Sequence, residues 1–221
     1  MDRPLEMSKL VLPPRGALPK TNDEDPVDYY YRPLTAALYR GRLKLAARLL
    51  GAGPFDALLD VGYGSGIFIP ELARRATRVA GLEVHEEADA VALGLRRLGV
   101  EAELHTGDLF AMPFAEGAFD ALVCLSVLEH LTRLGDALTE FRRVVRAGGI
   151  AVVCFPTRNR ITDGFFRLVG FDPRALHPSG HLDILAAVRR HAGFAVEREA
   201  HFPAKLPLAL SGYAGCRCRA I

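Results

Sequence analysis

The chain has no apolar run long enough to span a bilayer. Its longest, around Ala121–Leu125 and Ile150–Phe155, fall far below the ~18 residues a transmembrane helix needs. The opening segment, MDRPLEMSKLVLPPRGALPK, also lacks the continuous apolar core of a signal peptide. Charge of one sign is not in excess: 28 Lys+Arg face 26 Asp+Glu, a formal +2, which argues against a strongly basic nucleic-acid protein. Cysteine is sparse. Cys124 and Cys154 sit in apolar runs as small hydrophobes, and Cys216 and Cys218 are two apart, a spacing that disfavours pairing with each other. No CxxC pair and no Cys/His spacing points to zinc, so no metal is expected. Internal repeats and low-complexity tracts are missing too. A cytoplasmic, reducing setting is the resulting expectation.

What is present fits one α/β domain of 221 residues, half of them apolar. Such a chain buries roughly 70% of the surface its unfolded form exposes, so no staples are required. Residues 1–27 hold five of the fourteen prolines and the acidic cluster Asp23, Glu24, Asp25, and read as a flexible leader. Residues 28–221 form the domain. A helix is expected from Asp28, as N-cap, to Leu50: Leu34, Leu38, Leu45 and Leu49 share one stripe, while Arg40, Arg42, Lys44 and Arg48 fall on a solvated face. A weaker reading of that basic row is attraction of an anionic or membrane-associated substrate.

After Pro54, strand-length apolar runs alternate with amphipathic helices. Strands are expected at 57–61, 78–83, 101–106, 119–125 and 150–155, with helices at 65–75, 86–98 and 133–146 between them. Strand–helix alternation implies parallel pairing through right-handed crossovers, hence a doubly wound, Rossmann-like sheet with helices on both faces. Near the end, a helix at 183–192 leads to strands at 194–201 and 208–219. A short Pro-containing link without a helix joins these two, so the seventh strand should be antiparallel. The stretch 157–182, with several Gly and Pro, reads as a lid-like insertion over the carboxyl edge of the sheet.

The strongest motif is Asp60-Val61-Gly62-Tyr63-Gly64-Ser65-Gly66, a buried strand running into a glycine turn that opens a helix. Glycine allows a sharp turn and close approach of backbone to a ligand. The spacing is GxGxG rather than the GxGxxG of a dinucleotide pyrophosphate site. Asp60, just before the loop, would repel a phosphate and suits a cation or amino group. Glu83 ends the second strand 21 residues after Gly62, near the ~20 expected of an acid that grips ribose hydroxyls.

With these residues in place, the chain resembles the class I S-adenosylmethionine-dependent methyltransferases, particularly the small-molecule branch that includes quinone-biosynthesis enzymes. The resemblance covers about Asp56–Phe202 and rests on DVGYGSG at 60–66, Glu83, Gly107-Asp108-Leu109, FDALVCLSVLEHL at 119–131 and Val145-Arg146-Ala147-Gly148-Gly149. It implies S-adenosyl-L-methionine as cofactor and a small-molecule methyl acceptor. Asp60 and the loop Gly62, Tyr63, Gly64 and Gly66 would then hold the methionine end. Glu83, followed by Val84, would take the ribose, Asp108 and Leu109 the adenine, and Leu125 and Ser126 the wall by the sulfonium. Tyr30, in the Tyr29–Arg32 segment, would touch the methionine carboxylate or substrate, or simply pack a helix onto the sheet.

The chemistry expected is direct in-line displacement onto an O, N or C nucleophile. His130, at the carboxyl edge after the fourth strand, is the leading base or substrate-orienting residue, against a purely structural role. His181 and His177, in HPSGHL, come next. No Asn/Asp-Pro-Pro-aromatic run, Pro-Cys pair, double-glutamate loop or magnesium-binding acidic set is found, which leaves metal-free transfer to a small molecule. Two other functions fit the same sheet: an NAD(P)-dependent oxidoreductase, which leaves Asp108 unexplained and lacks a Tyr-x-x-x-Lys dyad, and a catalytically silent S-adenosylmethionine-binding regulatory module.

Overall fold

The computed structural model describes residues 10–23, 25–158 and 178–221. Seven strands build one sheet: β1 (Phe55–Val61), β2 (Ala76–Glu83), β3 (Glu103–Thr106), β4 (Phe119–Leu125), β5 (Val145–Pro156), β6 (Phe194–Phe202) and β7 (Tyr213–Ala220). Their order is β3-β2-β1-β4-β5-β7-β6. The first five run parallel, and β7 is antiparallel to both β5 and β6. The doubly wound sheet read from the sequence is therefore the observed one.

Helices α1 (Ala36–Leu50), α2 (Ile69–Ala73) and α3 (Ala88–Arg97) cover one face, and α4 (Leu134–Val144) and α5 (His181–Arg190) the other. Alternation along each strand feeds two cores. Leu59 and Val61 of β1 pack with Phe141 of α4 and Ile184 of α5, whereas Leu58 packs with Leu49 of α1 and Leu72 of α2. Burial on both faces is why LLDV and ALVCL read as unbroken apolar runs. All four cysteines are buried and reduced. Among the described residues no helix is long and apolar enough to cross a membrane.

The structure corrects several boundaries. The helix expected over 28–50 is two pieces: a 3₁₀ turn, Val27–Tyr30, and α1, which begins after Thr35. Pro33 explains the break, because it lacks an N–H and disfavours helical backbone at the residue before it. Leu34 and Leu38, expected on the core stripe, are 98% and 42% exposed, while Leu43, Leu45, Leu49 and Leu50 are buried. Helix α2 is shorter than 65–75 because Gly66, at φ 75°, closes a turn before it. Helix α4 stops at Val144, and Arg146–Gly149 belong to a bulged start of β5.

The segment expected to be a flexible leader is packed on the domain wherever it is described. Val11 N–H donates to Glu71 Oε2 at 2.8 Å, Tyr31 Oη donates to Pro13 O at 2.7 Å, and Leu18 is buried. Leu18 lies so close to α3 that a Cβ on Gly94 would stand 3.1 Å from its Cδ2. Asp25 ties the end of this strap by accepting from Thr21 N, Thr21 Oγ1 and Val27 N. Apart from its ends, the lid-like insertion at 157–182 lies outside the described residues, as does His177.

Candidate functional site

Parallel strands end together at one edge, and the register sets which residues meet there. Val61 pairs with Leu82 and Cys124, so Gly62 stands level with Glu83 on one side and Leu125 on the other. Glu83 pairs with Thr106, which brings Gly107 and Leu109 to the same edge. A cavity of about 400 Å³ opens above these strand ends, where open α/β sheets bind ligands. Its wall includes Asp60, Gly62, Tyr63, Gly64, Glu83, Val84, Leu109, Leu125, Ser126, His130 and Tyr30. One sheet edge thus gathers most of the site residues expected from the sequence.

The glycine loop has a different reason at each position. Gly62 has φ 80°, and a Cβ there would stand 2.2 Å from Val127 Cγ2. Gly64 has φ 51° with open space above it, as close ligand approach requires. Gly66 does not line the cavity; its missing Cβ makes room for Val91 of α3, 2.9 Å away, so its role is packing. Tyr63 lays its ring over Gly81 and meets His85 edge-on at 5.2 Å. The Tyr63 hydroxyl is buried without a hydrogen-bond partner.

Two carboxylates face the cavity. Asp60 is 3% exposed, and burial, reinforced by Glu83, pushes its pKa up to about 7. Among the described residues no cation comes within ion-pair distance of it. Glu83 is held at the rim by the backbone: Oε2 accepts from Gly64 N at 3.1 Å and Oε1 from Val84 N at 2.8 Å. Asp108 differs from expectation. It is exposed outside the cavity wall, with Oδ1 accepting from Phe110 N at 2.9 Å, while its neighbour Leu109 lines the wall.

The cavity is also lined by Arg42, expected from its sequence position on the solvated face. It is half-buried. Its Nε and Nη2 donate to Tyr30 Oη and its Nη1 to Ser126 Oγ at 3.1 Å, while its guanidinium stacks on Tyr39 at 4.7 Å. Of five N–H donors, two remain for a ligand, and no carboxylate is ion-paired to it among the described residues. A spacing signal existed: position 42 lies four after Leu38 and three before Leu45, inside the stripe rather than opposite it. Ser126 itself sits at φ 63°, a left-handed conformation a non-glycine residue rarely adopts. Thr21, Asn22 and Asp25 of the strap also line the cavity and were missed, because a segment rich in proline and charge resembles disorder until its anchors are seen.

Of the three histidines singled out, His130 reaches the cavity, on the 3₁₀ turn Leu128–His130. His181 does not line it; it opens α5, and its Nδ1 accepts from Arg158 N at 3.1 Å. Glu129, beside His130, turns away and is 2% exposed; burial pushes its pKa up to about 8, and its Oε2 has no hydrogen-bond partner. Among the described residues no group of three or more His, Cys, Asp or Glu is arranged to hold a metal.

This strand order, with a glycine turn after β1 and an acid at the end of β2, is a Rossmann-like arrangement. Residues 59–153 match the family model described as a methyltransferase domain. The chain is 34% identical over 122 residues to a ubiquinone biosynthesis O-methyltransferase of Alkalilimnicola ehrlichii, a match covering 54% of this chain and 48% of that protein. It is 29% identical over 184 residues to a demethylmenaquinone methyltransferase of Roseiflexus castenholzii, covering 73% and 77%. The chain thus spans about half the length of the ubiquinone-biosynthesis relative it matches. Among solved structures, the N-methyltransferase NodS from Bradyrhizobium japonicum, in complex with S-adenosyl-L-homocysteine, superposes with a TM-score of 0.67 at 19% identity, covering 91% of this chain and 94% of that one.

Proposed function

We propose that this protein is an S-adenosylmethionine-dependent methyltransferase acting on a small-molecule acceptor. One observation carries the reading: a single cavity is lined by a buried carboxyl with no cation partner, Asp60, and by a guanidinium with no ion-paired carboxylate and two N–H donors to spare, Arg42. A ligand with an ammonium and a carboxylate on one carbon satisfies both, and the methionine end of S-adenosylmethionine has that form. A pyrophosphate does not fit, since Asp60 and Glu83 would repel it. The residues present therefore suit the group.

Within this assignment Asp60 takes the ammonium and Arg42 the carboxylate. Glu83, already fixed by two backbone amides, offers its remaining lone pairs to the ribose hydroxyls. Val84 and Leu109 bound the space for the adenine, and Asp108, exposed beside Leu109 and outside the wall, is left to meet its amino group from that side. Leu125 and Ser126 bound the space beside the sulfur. The bound donor supplies a methyl on a positively charged sulfur, already a good leaving group. The chain's contribution is alignment and exclusion of water, an effect worth on the order of 7–11 kcal/mol when a nucleophile is held in line. Thr21, Asn22, Asp25 and Tyr30 line the cavity from the strap side, and His130, also on its wall, is the group assigned to take an acceptor hydroxyl's proton. His181 acts on the fold instead, joining the start of α5 to the end of β5.

The test is thermal unfolding with S-adenosylmethionine, S-adenosylhomocysteine and NADH in turn, followed by a labelled-methyl transfer assay over small hydroxyl, amine and carbon acceptors. The first two ligands at about 100 times their dissociation constants should add ~2.7 kcal/mol. Stabilisation by NADH instead would overturn the donor assignment. Donor binding with no transfer to any acceptor would point to the silent regulatory module.

A further inference from the structure

The two leucines that left the core stripe belong to an exposed surface that the methyl-transfer reading does not use. Leu34 is 98% exposed and Leu38 42%, and across from them the turn before β7 exposes Leu206 at 42% and Leu210 at 50%. The two groups adjoin: a Cβ on Gly212 would stand 2.9 Å from Leu38 Cδ1, and Gly41 of α1 gives way to the ring of Phe202. Four exposed leucines on two touching elements cost solvation free energy that a soluble surface has no reason to bear.

Charge identifies what they face. Between Asp28 and Asp56 the chain has no acidic residue but five cations: Arg32, Arg40, Arg42, Lys44 and Arg48. From Ala200 through Gly212 there is again no acid, and Lys205 lies in the leucine turn. Arg32, Arg40, Lys44 and Lys205 are exposed, and none is ion-paired among the described residues. Arg40, Lys44 and Arg48 recur at i, i+4 and i+8 along the solvent side of α1. In a chain of net charge only +2, this is a local concentration of one sign, set around apolar side chains. A second copy of this chain would bring the same cations against one another, whereas an anionic bilayer complements both features.

We infer that the face formed by Leu34, Leu38, Leu206 and Leu210, ringed by Arg32, Arg40 and Lys205, docks peripherally on an anionic lipid surface. The leucines enter the headgroup boundary and the cations meet the phosphates. Because the same segment supplies Tyr30 and Arg42 to the cavity, docking sets the cavity beside the membrane, where an apolar acceptor partitions.

The test is co-sedimentation of the full chain with phosphatidylcholine vesicles and with vesicles containing phosphatidylglycerol. Binding is expected to the anionic vesicles only and should weaken with salt. Arg32→Glu and Lys205→Glu should each weaken it by roughly fivefold or more, as loss of one surface cation implies. Leu34→Asp and Leu210→Asp should abolish it, with S-adenosylhomocysteine affinity unchanged as the check that the fold is intact. No binding to anionic vesicles, equal binding to neutral ones, or binding unaffected by the leucine changes would overturn the inference. So would a concentration-dependent dimer, seen by analytical ultracentrifugation and broken by Leu34→Asp, since the face would then belong to a second copy. None of these outcomes depends on methyl transfer.

Discussion

Asp60→Asn separates folding from function most sharply. In the ligand-free protein the Asp60 carboxyl has a pKa near 7 against an ordinary 3.8, because burial and Glu83 disfavour its charge. The folded pKa is raised, so the folded state holds its proton where the unfolded chain has lost it. Stability from this group is complete below about pH 4 and declines as pH rises towards about 7, by up to ~4 kcal/mol at 1.36 kcal/mol per unit. Asn is isosteric and uncharged, so the variant should lack this decline. At about pH 8 it should be more stable than the parent by a few kcal/mol, while at about pH 4 the two should be similar. Glu129, raised to about 8 by burial, bends both curves alike, and the difference between variant and parent isolates Asp60. The assay is urea unfolding across that pH range. The same variant should lose S-adenosylhomocysteine affinity by tenfold or more, since loss of a charged hydrogen-bond partner costs about 1.5–3 kcal/mol. Parallel pH profiles for variant and parent, or undiminished ligand affinity, would refute the argument.

Arg42→Met should lower donor affinity by roughly 10- to 100-fold, the value of a charge-assisted hydrogen bond, measured by titration calorimetry with S-adenosylhomocysteine; unchanged affinity would return Arg42 to a structural role beside Tyr30. Gly62→Ala should destabilise by about 2–4 kcal/mol, combining left-handed backbone strain with the collision at Val127, and a second change, Val127→Ala, should recover the collision part. Recovery of nothing would mean that strain alone sets the cost. His130→Ala should cut turnover of a hydroxyl acceptor by roughly 10²–10⁴-fold while sparing donor affinity, and should do far less with an amine acceptor. Equal losses with both acceptors would make it a positioning residue rather than a base.

The sequence by itself determined the sheet. Alternating apolar strands and amphipathic helices admit few topologies, and continuous runs such as LLDV require cover on both faces. It also determined the pole of the site, because a glycine turn and the acid ending the next strand are brought together by parallel register alone. What lies far apart in the chain was decided only in three dimensions. Arg42 and Asp60 come to line one cavity because α1 packs back onto the sheet, and the strap becomes a wall because Glu71 holds Val11, Tyr31 holds Pro13 and Asp25 holds Thr21. Leu34 and Leu38 share a periodicity with core leucines, yet Pro33 breaks the helix before Leu34, α1 starts only after Thr35, and both leucines stay exposed. Periodicity is a property of one helix, whereas burial depends on what another part of the chain places against it.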